Sequence, residues 1–253
     1  LHPVNFAMAG TKWLLTRRGP AASVFWEAGG LIRSSHKMDY PDIEIQFGPA
    51  GFNFMKNNGI SLDQAFTVHV DQSRPTSVGH IELRSANPAD KPKMFFNYLE
   101  TEDDRQRLIQ GIRRTREIIA QKAFDPYRGE EIYPGPDLTT DAELLNYIKA
   151  NVSTDYHPSC TCRMGMDADA VVDEEMRVHG INGLRVVDAS IMPRITSANL
   201  NAPTQMIAAR AADFILGRPQ LEPFKANFHF MENASNFEKS WRRPAADHLM
   251  AFY

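Results

Sequence analysis

Short runs of alternating apolar and polar residues dominate the first hundred positions of the chain. Ile43, Ile45 and Phe47 alternate with polar residues, and the same period of two recurs around Val68 and around Ile81. Successive side chains of a strand point to opposite faces of a sheet, so such runs are typical of half-buried strands. We therefore predict an antiparallel sheet of three strands with one face covered.

Two shorter features flank these strands. Residues 94–96 are Met-Phe-Phe and predict an edge strand, which follows a turn at Asn87-Pro88. The pair Gly29-Gly30 predicts a turn or a close approach of two backbones, because glycine has no side chain to prevent it.

Apolar residues recur with the helical period in four places. A short helix is predicted within residues 5–18, and an amphipathic helix begins near Thr101, where acidic residues follow in the first turn. Thr140 opens a capping box, and the last helix covers about 203–216 before a stop at Gly217. With the strands, these helices predict a mixed fold of the α+β and α/β types.

Residues 156–205 are the stretch where a binding site is most strongly indicated. The segment 183–190 is apolar and β-branched, and it ends in an acid and two small residues. It predicts a buried strand that runs into a tight turn. A strand, a turn of small residues and the N-terminus of the last helix together favour an anion or an electron-rich ring.

Composition narrows the class of protein. The chain has 253 residues and a net charge of -3, from 28 basic and 31 acidic residues, which weighs against a nucleic-acid binder. It has no run of 18 apolar residues, so no transmembrane helix is predicted. The only two cysteines, Cys160 and Cys162, exclude a disulfide framework and favour a reducing compartment.

Two side chains in the central stretch are candidates for chemistry. Imidazole titrates near neutral pH, so His157 is a candidate proton acceptor, although it also suits a structural role before a proline. Asn201 is a neutral donor able to hold a substrate oxygen, or else a cap for the last helix. Asp188 at the end of the predicted strand suits either a ligand contact or the capping of its own turn.

The cysteines suggest other chemistry less strongly. A pair with one residue between them, without further clustered ligands, is weak evidence for metal, and we predict no metal site. A thiol nucleophile at Cys160 beside His157 would make the protein a cysteine hydrolase, which we keep as an alternative. Small, buried, apolar side chains are the favoured interpretation of both cysteines.

Taken together, four blocks resemble the C-terminal half of the glucose–methanol–choline (GMC) oxidoreductases, in particular the branch of bacterial choline and alcohol dehydrogenases. The likeness covers about residues 10–217. The blocks are Glu27–Ser34, Thr115–Ile119, Tyr156–Cys160 and Gly183–Pro193.

The resemblance implies an FAD enzyme of two domains. Residues 1–156 would form the substrate-binding domain, with its antiparallel sheet and helices. Residues 157–218 would supply the C-terminal strand and helix of a Rossmann-like FAD-binding domain, and residues 219–253 are an unassigned tail. The implied reaction is oxidation of a primary alcohol, choline or a relative of it, to the aldehyde.

The resemblance also assigns roles to residues. His157 would take the hydroxyl proton while hydride passes to the flavin, and Asn201 would orient the alkoxide oxygen. Five residues would line the cofactor: Asp188, Ala189, Asn199, Ala202 and Thr204. For the substrate, Trp26 and Glu27 are candidates for a cation site, and Gln46 stands where choline-oxidising relatives carry a histidine.

One departure from the family limits what this chain is expected to do alone. It contains no G-x-G-x-x-G, the glycine-rich fingerprint of the family's first strand and helix. We expect that part of the flavin domain to lie outside this chain, and the isolated chain not to hold FAD firmly. A non-catalytic fragment or binding module that keeps the fold without the cofactor is therefore the main alternative.

Several properties stay open at this stage. The alcohol, the electron acceptor (a quinone or oxygen) and the choice between dehydrogenase and oxidase are not set by the sequence. The expected location is the cytoplasm, with peripheral attachment to the inner membrane as a variant.

Overall fold

The computed structural model describes residues 3–22, 24, 26–53, 59–60 and 65–222. Over these residues the fold is mixed, with helices and small antiparallel sheets, as the sequence predicts. The four helices are α1 (Pro3–Thr16), α2 (Glu102–Ile119), α3 (Asp141–Asn151) and α4 (Asn201–Leu216). The seven strands are β1 (Ala28–Ile32), β2 (Ile43–Gly48), β3 (Phe52–Asn53), β4 (Gly59–Ile60), β5 (Thr67–Gln72), β6 (His80–Glu82) and β7 (Lys93–Phe95). Short 3-10 turns lie at Pro20–Ala22, Lys122–Phe124 and Ala189–Ile191.

The largest sheet has three antiparallel strands in the order β1-β2-β5. Its apolar face contains Ile43 and Ile45, which are buried, and α2 packs against this face. The prediction of one covered face is confirmed. The prediction of one three-stranded sheet from the alternating runs is wrong in its membership, because the run around Ile81 forms β6 and pairs with β7 in a separate sheet.

Two glycines allow close packing around the large sheet. A Cβ on Gly29 would lie 2.7 Å from the carbonyl oxygen of Ile45, so the close backbone approach predicted there is confirmed, within a strand instead of a turn. A Cβ on Gly111 of α2 would lie 2.6 Å from Cγ1 of Val70. Helix α2 therefore contacts the sheet at a distance that a larger residue would prevent.

Buried carboxylates attach α2 to the loops around the sheet. Asp104 is 2% exposed and accepts hydrogen bonds from Gln72, Thr76 and Ser77. Burial alone would raise the pKa of Asp104, but these hydrogen bonds outweigh burial and lower the pKa to about 2. The side chain of Thr101 caps the start of the helix, where the sequence places it.

Two hydrophobic cores stabilise the rest of the described chain. The first joins α2 to α3 through Ile109, Leu144 and Ile148, and the predicted capping box at Thr140 is present at the start of α3. The second lies between residues 164 and 214, and its buried members are Val172, Met176, Ile191 and Ala211.

The buried strand predicted over residues 183–190 is wrong. Only an isolated bridge joins Arg185 to Arg177, and residues 186–188 carry no strand pairing. Positive φ angles at Gly180 and Gly183 turn the chain every few residues. Val186 and Val187 still pack against the second core, so their apolar character reflects burial without sheet pairing.

Helix α4 is confirmed with a change at its start. It begins at Asn201 instead of near Pro203, and it ends at Gly217, which has a φ of 62° as a C-terminal glycine requires. The alternative that Asn201 caps this helix is wrong, because Leu200 occupies the cap position. Residues 223–253, most of the unassigned tail, lie outside the described residues.

No helix within the described ranges combines the length and apolar character needed to cross a membrane.

Candidate active site

A cleft of about 2760 Å³ borders the large sheet, and its lining combines residues of β5 and α2 with Glu44 of β2. Side chains alternate along β2 and β5, and of those opposite the apolar core face, Glu44, His69 and Asp71 belong to the lining of this cleft. Its other walls include the loop around residues 153–161 and the segment 193–200, which precedes α4. Its ionisable lining includes a group of side chains from the sheet and from the loop of His157: Glu44, His69, Asp71, Asp155 and His157.

The loop that carries His157 has an unusual backbone. Tyr156 and Cys160 have positive φ angles of 58° and 71°, a region that residues with a Cβ adopt at an energetic cost. Two amides at the end of this loop donate to carbonyls of the 3-10 turn: Cys160 to Ala189 and Cys162 to Ser190. These contacts fix His157 relative to the segment that leads into α4.

His157 is partly accessible from the cleft, with 39% of its side chain exposed. Its Nδ1 atom lies 3.8 Å from Oδ2 of Asp155. That distance is too long for a hydrogen bond, so the carboxylate is a near neighbour of the ring without a direct bond to it. An imidazole with this neighbour is suited to accept a proton from a bound group.

The polar face of the sheet presents a cluster of charge to this histidine. Glu44 of β2 is the register partner of Asp71 of β5, and Gln46 is the partner of His69. Burial and the charges of Asp155 and Glu44 raise the pKa of Asp71 to about 7. Burial and the charge of Asp155 also raise the pKa of Glu44, although His157 and a hydrogen bond from Asn199 oppose this.

The pKa of His69 shifts in the opposite direction from those of Glu44 and Asp71. Burial lowers the pKa of His69, although Asp155 acts against it. Its ring lies 4.4 Å from that of Trp26, measured between centroids. The neutral imidazole of His69 and the ring of Trp26 therefore form an aromatic surface beside the charged side chains.

Asn201, the second predicted catalytic residue, lies at the first position of α4 and is exposed. It follows directly after Ala198, Asn199 and Leu200, which line the cleft, but it is not itself part of the lining. Its Oδ1 accepts a hydrogen bond of 2.6 Å from Gln205. This contact uses the amide oxygen of Asn201 and leaves its N–H groups available to donate.

The predicted cofactor residues are distributed around the same segment. Asp188 is exposed and caps its own turn by accepting from the amide of Ser190 at 2.7 Å, so the capping alternative describes its contact. Thr204 donates its hydroxyl to the carbonyl of Leu200. Ala189 is half-buried and Ala202 is exposed on α4. Among these five residues, Asn199 alone lines the cleft.

The start of α4 fits the cofactor that the resemblance implies. Its first turn has no acidic residue and no side-chain cap. A helix N-terminus of this kind presents backbone N–H groups and a partial positive charge, which suit an electron-rich ring or an anion. The small side chain of Ala202 leaves the approach to this end of the helix uncrowded.

The predicted substrate residues lie on the sheet or just before it. Gln46 is half-buried, and its amide donates to Glu44 at 3.4 Å. Trp26 contacts His69, and Glu27 is exposed at the start of β1. Trp26, Glu27 and Gln46 do not belong to the lining of the cleft, so their substrate roles stay predictions.

Sequence reasoning missed Glu44, His69, Asp71 and Asp155 as site residues. The first three are the polar members of the alternating runs, so the signal that identifies them is the same one that predicts the strands. Their partners across the sheet depend on strand register, which a single sequence does not give.

The cysteines show no arrangement typical of catalysis or metal binding. Both are free and half-buried, and the thiol of Cys160 donates to Oγ of Ser159 at 3.3 Å. Over the described part of the chain, no three His, Cys, Asp or Glu side chains are grouped so as to hold a metal ion.

Comparison with known proteins agrees with the resemblance seen in the sequence. The family model described as GMC oxidoreductase matches residues 75–208. A protein of Pseudomonas fluorescens named oxygen-dependent choline dehydrogenase is 49% identical over 230 residues, which are 91% of this chain and 40% of the relative. A protein of the same name from Vibrio vulnificus is 50% identical over 219 residues, or 85% of this chain and 39% of the relative.

Solved structures agree on the fold. Pyridoxine 4-oxidase of Mesorbium loti has a TM-score of 0.70 and 28% identity, over 78% of this chain and 39% of that chain. Formate oxidase of Aspergillus oryzae, an FAD-containing protein, has a TM-score of 0.75 and 24% identity, over 86% of this chain and 42% of that chain. This chain therefore spans about 40% of the length of the curated relatives that it matches. It belongs to the GMC oxidoreductases, a family of FAD-dependent enzymes.

Proposed function

We propose that this chain forms the C-terminal part of an FAD-dependent enzyme that oxidises a primary alcohol, choline or a related alcohol, to the aldehyde. The observation that carries the proposal is the position of His157, on a loop with a costly backbone and facing the charged side of the sheet across the cleft. Relatives 49% and 50% identical that are named oxygen-dependent choline dehydrogenase support this choice of substrate class.

His157 is the proposed base. Nδ1 faces the carboxylate of Asp155, so the other ring nitrogen, Nε2, is the one that takes the hydroxyl proton of the alcohol.

Asn201 is proposed to hold the substrate oxygen. Gln205 occupies its carbonyl oxygen, so its amide N–H groups are the part that can donate to an oxygen on which negative charge develops. A neutral donor suits this role because it stabilises an alkoxide without supplying a competing proton.

The segment 188–204 is proposed to hold the flavin, through Asp188, Ala189, Asn199, Ala202, Thr204 and the uncapped start of α4. When bound, the flavin supplies the acceptor for the hydride of the alcohol carbon. Residues 1–156 would then be the substrate-binding domain and residues 157–218 the C-terminal part of the FAD domain, with the rest of that domain in a segment outside this chain.

Oxygen is the proposed final electron acceptor, because the relatives are named as oxygen-dependent. The cytoplasm, with or without peripheral attachment to the inner membrane, stays our prediction for the location.

Replacement of the proposed base tests the function. In the flavin-loaded holoenzyme, His157→Ala should lower kcat for choline or another primary alcohol by roughly 10²- to 10⁴-fold, since a positioned base typically contributes this factor. His36→Ala is the matched control, because His36 is an exposed histidine outside the cleft lining. The flavin absorption spectrum should be unchanged in both variants. A loss of less than tenfold in kcat for His157→Ala would contradict the assignment of His157 as the base.

A further inference from the structure

We propose that Glu44 is a positioning residue, which holds Asn199 and thereby places the segment that carries Asn201 against the floor of the cleft. The proposal rests on the proposed function, because the consequence of this placement is the orientation of a substrate oxygen by Asn201. It adds a residue of the substrate-side sheet that neither the resemblance nor the sequence pattern assigns to the site.

The contact joins two parts of the chain that are 155 positions apart in sequence. Glu44 extends from β2 into the cleft, and Asn199 lies two residues before Asn201. With its nitrogen toward Glu44, the Asn199 amide donates to both carboxylate oxygens, at 3.1 Å each. The opposite orientation would place the amide oxygen against those two acceptors, so we assign the nitrogen to this side.

A polar contact at Asn199 complements the apolar packing on the other side of the segment. Leu200 is 5% exposed and fixes the segment on its apolar side. Helix α4 begins without a side-chain cap, and the contact of Asn201 is to Gln205 within the same helix. The Asn199 side chain ties the start of α4 to the large sheet through its hydrogen bond to Glu44.

A carboxylate suits this contact better than an amide does. A carboxylate presents two acceptor oxygens to the N–H of Asn199 that points toward it, and charge-assisted hydrogen bonds are stronger than neutral ones. A glutamine would offer one uncharged acceptor oxygen with an N–H group beside it. Asp71, the register partner of Glu44, and Asp155 and His157 across the cleft are the charged groups that face it.

The contact would hold the Asn201 side chain in a precise position. A misplacement of about 1 Å at a residue that orients a substrate is enough to cost about 10²-fold in rate. Because only one residue separates Asn199 from Asn201, a shift of the first moves the second. The effect belongs to kcat more than to KM, since the alcohol oxygen acquires its charge during the reaction.

Exchange of the two groups tests the proposal in the flavin-loaded holoenzyme. E44Q should lower kcat by roughly 10- to 100-fold with a smaller change in KM, and N199D should do at least as much because two carboxylates then face each other. In the reciprocal variant E44Q/N199D, amide and carboxylate exchange places, and kcat should return to within about fivefold of the original value. E82Q, a change on the exposed strand β6, is the control and should leave kcat unaltered.

A second readout does not depend on turnover. In the 253-residue chain, the side-chain amide resonance of Asn199 should shift as Glu44 titrates, and this pH dependence should disappear in E44Q. If no variant oxidises alcohols but the resonance follows Glu44, the proposed function fails and the contact stands. If alcohol is oxidised and the resonance ignores Glu44, the positioning role fails.

Two kinetic outcomes would also overturn the positioning role. One is a reciprocal variant no faster than the slower single variant. The other is an E44Q enzyme with unchanged kcat and a raised KM for choline alone, not for an uncharged alcohol, because Glu44 would then recognise the charge of the substrate.

Discussion

Asp71 is a buried carboxyl whose ionisation costs the folded chain stability. Its Oδ2 atom is buried without a hydrogen-bond partner in the described part of the chain, and Glu44 is its neighbour across the sheet. Burial and the charges of Asp155 and Glu44 hold the pKa of Asp71 at about 7, well above its ordinary value of 3.8. The folded chain therefore binds this proton more tightly than the unfolded chain does.

This difference gives a prediction for pH. The stability that protonated Asp71 contributes is fully present below about pH 4 and is lost as pH rises through 7, the folded pKa. Asp71→Asn cannot ionise, so the stability it gains over the original chain should be about 1–3 kcal/mol larger at pH 8 than at pH 5. Urea unfolding at the two pH values measures this. Asp137→Asn, at an exposed carboxyl, is the control, and an equal gain at both pH values would contradict the prediction.

At the scale of elements, the contact between α2 and the large sheet decides how the floor of the cleft is supported. The strands present polar side chains to the cleft on one face, and the helix packs on the other at Gly111, where an added Cβ would lie 2.6 Å from Val70 and 3.3 Å from Ile43. Helix α2 can therefore approach β5 this closely only because residue 111 has no side chain.

Gly111→Ala should destabilise the chain. Crowding against Val70 costs about 1–3 kcal/mol, and the gain in helix propensity of at most about 1 kcal/mol offsets only part of it. Chemical denaturation measures the difference. Gly10→Ala in α1 is the matched control, because nothing lies within 4 Å of its added Cβ, and it should be neutral or stabilising.

A double variant separates crowding from other effects. Val70→Ala removes the atom that the new methyl group meets, so Val70→Ala should cost less in the Gly111→Ala background than alone. Strictly additive effects would mean that the two residues do not compete for the same space.

The elements also show which features a sequence can predict. Thr101, the capping box at Thr140 and the stop at Gly217 are local signals, and all three lie where predicted. Residues 183–190 have the composition of a strand but lack a partner for it, and strand pairing is a non-local property. For the same reason the sequence indicates which side chains of β2 and β5 are polar, but it does not indicate that they lie near His157.

At the scale of the whole molecule, His157 lies between two cores that share no buried residue. Ile109, Leu144 and Ile148 form the one that joins α2 to α3, and Ile191 is a central member of the one between residues 164 and 214. The loop of His157 connects them in sequence, and its backbone donates to the 3-10 turn that contains Ile191. The second core should therefore fix this loop more directly than the first.

Ile191→Ala tests that division. Ile191 is fully buried, so its truncation should lower the free energy of unfolding by about 2–5 kcal/mol. The second core, which contains Ile191, should open before the first core does. Hydrogen exchange read by mass spectrometry should accelerate in residues 160–214 and stay nearly unchanged in α2 and α3. Ile109→Ala, an equally buried isoleucine in the other core, should give the reverse pattern. Equal acceleration of both regions in either variant would show that the two cores unfold as one unit, and that the loop of His157 depends on both alike.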